Sequence, residues 1–157
     1  MKTKLFILFL LVTAFSATAQ SLSQNNPEMM IESQSRYGFA ATVDTISRTA
    51  ISKGWKVTIV HDLQETMKKN GKDVLPVKVM EICNPVIAYQ ILSKDELRNV
   101  SPMLPCRISV YEKSDGKTYV SRMNAPAFAA LIGGDAAKSI TQAFTEAEGF
   151  VKAVTVR

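Results

Sequence analysis

The chain has 157 residues, with 19 Lys and Arg against 14 Asp and Glu, one His and two Cys. The excess of positive charge is mild, no basic run exceeds Lys68-Lys69, and aromatic residues are not interleaved with basic ones, which excludes a nucleic-acid groove and a polybasic membrane patch. A single His excludes a His-built zinc cluster.

The order at the N-terminus is that of a secretory signal peptide: charged Met1 to Lys4, apolar Leu5 to Phe15, then small Ala17-Thr18-Ala19. The apolar stretch falls short of the ~20 residues that span a bilayer, so cleavage after Ala19 is expected, with no stable membrane insertion afterwards. Gln20 stands where a lipid-anchored protein would need Cys, so the mature chain is expected to be periplasmic or secreted. Loss of residues 1–19 removes Lys2 and Lys4 and no acid, so 19 basic and 14 acidic residues become 17 and 14, a net charge of +3.

Residues 20–34, rich in Ser, Gln and Asn, read as a mobile leader. A single domain is expected over residues 35–157, long enough to fold without a disulfide. Tyr37 to Val43 reads as a strand and Asp44 as the N-cap of a helix through Ile46, Ala50 and Ile51 that stops at Gly54. Trp55 to His61 alternates Trp55, Val57 and Ile59 against Lys56, Thr58 and Val60, predicting a strand with one buried face. Leu63 to Gly71 forms a short helix or turn, and Val74 to Ile82 a strand whose Pro76 marks a start or an edge.

Pro85 blocks further pairing, and Ala88 to about Val100 reads as a helix that Pro102 and Pro105 terminate. Cys106 to Glu112 and Lys117 to Met123 make a hairpin about Ser114-Asp115-Gly116. Pro126 to Ile132 is a short helix, Gly133-Gly134 breaks it, and Asp135 caps the last one. In that helix Ile140, Ala143, Phe144, Ala147, Phe150, Val151 and Val154 recur at helical spacing, so this face must pack on a sheet or a second subunit. The element order predicts an α+β two-layer sandwich, a mainly antiparallel sheet backed by helices.

Ser35-Arg36-Tyr37-Gly38-Phe39 with Thr42-Val43, Gly54-Trp55, His61-Asp62, Ile82-Cys83-Asn84-Pro85, Leu104-Pro105-Cys106-Arg107, Val110-Tyr111-Glu112 and Asp115-Gly116-Lys117 together resemble the domain of unknown function 302 family. The likeness runs from about Ser35 to Val154. It implies a compact α+β domain, often a homodimer, with one sheet backed by helices, and it implies no established reaction.

The only two cysteines stand at matching strand ends. Outside the cytoplasm such a pair is first read as a disulfide, Cys83 to Cys106, worth roughly 3 kcal/mol on the chain-entropy model. Reduced packing cysteines and functional thiols are the alternatives. Thiol chemistry would need an accessible thiolate of lowered pKa, favoured by a nearby Arg107. A copper(I) site would draw on Cys83, Cys106, Met103 and His61, while Met80, three residues from Cys83 on a strand, faces the other way. The scattered methionines otherwise read as core filling and lone His61 as a surface or hydrogen-bonded residue. No relay or paired carboxylates assemble a catalytic constellation, and no cofactor is implied. The expected function is a non-enzymatic ligand-binding or stress-related module whose small ligand meets Cys83, Asn84, Pro85, Pro105, Cys106 and Arg107, with thiol or soft-metal handling and structural assembly as alternatives.

Overall fold

The computed structural model describes residues 28–156. The expected signal sequence and residues 20–27 therefore lie outside the described residues. Five strands form one sheet in the order β1-β5-β4-β3-β2, antiparallel throughout: β1 Met30–Gln34, β2 Lys56–Asp62, β3 Val77–Cys83, β4 Cys106–Glu112 and β5 Thr118–Met123. Helices α1 Phe39–Ser52 and α5 Gly134–Lys152 pack on one face, completing the expected two-layer α+β sandwich. Helices α2 Leu63–Lys69, α3 Pro85–Leu92 and α4 Ala125–Ile132 and a 3₁₀ stretch Asp95–Met103 fill the connections.

The inward positions of the sheet are Met80, Ile82, Ile108, Val110 and Val120, alternating along the strands as the period of two requires. Against them α5 lays Ala143, Ala147, Phe150 and Val151, and α1 lays Ile46 and Ala50. The apolar face of α5 is thus buried within its own chain, at about 1.5–3 kcal/mol for each large side chain removed from water. Lys152 in its last turn complements the helix dipole.

Several boundaries differ from expectation. Met30–Gln34, assigned to the leader, is an edge strand paired with β5; only alternate positions turn inward, so the segment looks polar. Tyr37 to Val43 is not a strand. Gly38 is the N-cap and the helix runs from Phe39, because Thr42, Ile46 and Ala50 fall on one buried stripe; Asp44 lies within the helix, not at its cap. In β2 a bulge between Val57 and Ile59 breaks the alternation and turns Ile59 out to solvent. The predicted single helix over 88–100 is two pieces. Pro85 opens α3 at its first turn, where its missing N–H costs nothing, and the chain tightens into the 3₁₀ stretch after Leu92. Gly133, at φ 72°, ends α4 and precedes α5, while Asp135 sits in the first turn and pairs with Lys94 and Lys138.

The two ends of the domain are joined. Arg36 N–H donates to the Val154 carbonyl at 2.8 Å and Val156 N–H to that of Gln34 at 3.0 Å. Ser35, buried beside them, shares a 2.7 Å hydroxyl bond with Thr42.

Candidate functional site

The expected ligand edge separates into three environments. Asn84 is the cap of α3: its side-chain oxygen accepts from the N–H groups of Val86 and Ile87, and its amide donates to Glu146 Oε2 at 3.3 Å. Pro85 is the helix's first residue. These two build structure. Arg107 alternates to the outer face of the sheet, where it is 60 % exposed and its Nε donates to Glu81 at 3.2 Å. His61 Nε2 lies 3.3 Å from the same carboxylate oxygen. Partial burial pushes the Glu81 carboxyl up, and the His61 and Arg107 hydrogen bonds outweigh it, leaving the group below the ordinary carboxylate range. The lone His is a hydrogen-bonded sheet residue as its sequence context indicates, and neighbouring Asp62 caps α2 and pairs with Lys78.

Cys83 and Cys106 are free thiols, both half-buried. The β3–β4 register sets Cys106 opposite Ile82, so Cys83 lies one residue further on and the pair is out of step for a bond. Burial pushes both thiols up, Cys106 to about 11 with a further push from neighbouring Cys83. Thiol chemistry required the opposite shift, and Arg107, which was to supply it, points to the other face. His61 pairs with Val79, four positions from Cys83, roughly 13 Å along the strand, so it cannot join the cysteines around a metal. Among the described residues no group of three or more His, Cys, Asp or Glu could hold a metal ion. Met80 is core, as its strand position requires.

What the structure adds is a cavity. The apolar interior forms two clusters: the main core between sheet, α1 and α5, and a smaller one in which Ile91, Ala129 and Ile140 meet Met103 and Leu104. Between them a space of about 310 Å³ opens, walled by Ile87, Ile91, Met103, Ile108, Ile140 and Phe144. Pro105, Cys106 and Arg107 also border it, while Cys83 and Asn84 border only a minor neighbouring space of about 10 Å³. The volume lies at the lower end of the ~300–1,000 Å³ typical of small-molecule sites.

One wall carries an ion pair that the sequence analysis missed. Arg122 is the inward residue of β5 after Thr118 and Val120, and Glu148 stands on the apolar face of α5 between Phe144 and Val151. Their side chains are only 10 % and 17 % exposed, with Nε and Nη2 donating to the two carboxylate oxygens at 2.6 and 2.8 Å. Arg122 Nη1 donates to the Ile31 carbonyl and to Ser33 Oγ.

The family model for "Domain of unknown function DUF302" matches residues 31–154. The chain belongs to the DUF302 family. The crystal structure of an uncharacterized conserved DUF302 protein from Bacillus stearothermophilus superposes with a TM-score of 0.70 at 18 % identity, covering 80 % of this chain and 98 % of that one. At that identity the likeness is one of fold. No curated protein matches the chain. The DUF302 domain begins where the sheet does, within β1, four residues ahead of the expected Ser35.

The raised thiols of the DUF302 domain give a prediction with a defined sign. The folded value of Cys106 is about 11 against an ordinary 9.0, so its contribution to stability is complete below the unfolded value and is lost as pH rises through about 11. The denaturation midpoint should fall more steeply above pH 9 in the native protein than in Cys106→Ala. Iodoacetamide at pH 8 should label the unfolded chain much faster than the folded one; equal rates would show that the thiols are not shielded.

Proposed function

We propose that this DUF302 domain is an exported, non-enzymatic binding module that holds a small apolar molecule in the cavity between the sheet and α5. The observation that carries this is the cavity's place at a seam, where apolar side chains of β4, α3, α5 and the 3₁₀ stretch face an opening instead of one another. A close-packed interior leaves few voids larger than water, and an apolar space of ~150 Å³ already suffices for benzene. This one is about twice that size. Met103, Phe144 and Cys106 supply polarisable, adaptable surface for a flexible or aromatic ligand.

The test is titration with the uncharged fluorophore 1-aminoanthracene. Saturable enhancement with one site per chain is expected. Phe144→Trp, which enlarges a partly exposed side chain on the α5 wall outside the packed core, should weaken it at least about tenfold, or 1.4 kcal/mol, without lowering the melting temperature. Absence of saturable binding, or binding indifferent to Phe144→Trp, removes the reading.

Homodimeric assembly is a second reading, favoured by Val86, Tyr89 and Leu92, which stand exposed on the outer side of α3. It cannot use the apolar face of α5, which the chain's own sheet occupies. A monomeric mass at micromolar concentration would end it.

A further inference from the structure

Resting on the cavity reading, we infer that the site selects uncharged ligands and that Glu148 is the residue that sets this selection. An arginine in the wall of an apolar cavity would ordinarily invite a carboxylate or other anionic head group. Here all three of its nitrogens are taken by the chain itself. Nε and Nη2 meet both oxygens of Glu148, and Nη1 meets the Ile31 carbonyl and Ser33. The bidentate fork is the geometry an anionic ligand would have to reproduce, and Glu148 already occupies it. An incoming carboxylate must therefore displace Glu148 or lie beside it, placing two like charges together where little water screens them.

Of the other polar residues along the wall, Arg107, Ser109 and Ser121 alternate to the outer face of the sheet, and Ser139 Oγ bonds Gln90 Oε1 at 2.8 Å. Among the described residues no buried side-chain nitrogen or oxygen lacks a partner. A ligand with a charged end finds nothing to neutralise it inside, whereas an uncharged chain or ring meets apolar wall and disturbs no bonded group. The ligand class is thus a neutral hydrocarbon-like molecule, such as a medium-chain alcohol or an aromatic, and not a fatty acid.

The experiment is displacement of bound 1-aminoanthracene at pH 8 by decan-1-ol and by decanoate, which share a chain length and differ in charge. The native protein should release the probe to decanol at concentrations at least about a hundredfold lower than to decanoate, equivalent to about 2.7 kcal/mol. Glu148→Gln keeps a hydrogen-bonding side chain on α5 and removes its charge, leaving Arg122 in need of an anion, so the ratio should fall below about tenfold. Arg122→Met with Glu148→Leu removes both charges and should retain the native preference, providing a second readout if the single variant does not fold. Equal displacement by decanoate and decanol in the native protein would overturn charge selection while leaving the cavity reading intact. If the native protein binds no probe at all, the cavity reading itself falls and this inference with it.

Discussion

Replacing Trp55 by alanine should lower the unfolding free energy by at least about 4 kcal/mol, a large part of the ~5–15 kcal/mol that holds a domain of this kind together. Trp55 is 2 % exposed and sits edge-on to Phe150 with ring centroids 5.4 Å apart, joining the start of β2 to the end of α5. Its indole N–H donates to Glu146 Oε2 at 2.9 Å, the same oxygen that receives the Asn84 amide. Removal of the ring leaves a void in the core, about 3–5 kcal/mol for Trp or Phe to Ala. It also takes from Glu146 a hydrogen bond of the charged kind, worth about 1.5–3 kcal/mol. Urea denaturation measures the sum. Trp55→Phe separates the parts by restoring an aromatic ring without the donor, and should recover more than half of the loss. A midpoint for Trp55→Ala within experimental error of the native one would mean that α5 is not anchored to the sheet through this contact.

Arg122→Met should be the next most damaging single change, at about 3–5 kcal/mol, because it strands the Glu148 carboxylate in a nearly dry setting. The Ile31 carbonyl and Ser33 lose their donor at the same time, loosening β1 along its inner side. Arg122→Met with Glu148→Leu should return most of the loss, since exchanging a buried pair for packed apolar side chains is often neutral or favourable. Chemical denaturation at pH 7 distinguishes the outcomes. A double variant no more stable than Arg122→Met would show that the pair's hydrogen bonds to β1, and not its charge balance, hold this wall.

The elements legible in the sequence were those whose signal is local. The repeat from Ile140 to Val151 declared α5, and Asp115-Gly116 declared the β4–β5 hairpin, because helical spacing and turn chemistry are read within a few residues. Met30–Gln34 was hidden because an edge strand draws its order from a partner more than ninety residues away, as in Met30 opposite Met123, and its own composition is mostly polar. The stretch from Tyr37 to Val43 misled because Tyr, Phe and Val favour strands, while the deciding spacing of Thr42, Ile46 and Ala50 spans the predicted boundary. Of the expected site residues, Pro105, Cys106 and Arg107 border the cavity and Cys83, Asn84 and Pro85 do not. A cavity assembled from several separate elements leaves no motif. One signal was available nonetheless: Arg122 and Glu148 are charges of opposite sign on the inward parity of a strand and the apolar stripe of a helix, and two such misplacements suggest each other.

The backbone bonds from Arg36 to Val154 and from Val156 to Gln34 fasten the opening of the domain to its close. A chain emerging residue by residue can form the β4–β5 hairpin early, but it cannot dock α5 on the sheet or tie down the stretch after β1 until residues 134–156 have appeared. Completion of this fold therefore waits on the residues that follow α5. Removal of residues 154–156 would take away both bonds and loosen the end of β1 next to Ser33, whose hydroxyl receives Arg122.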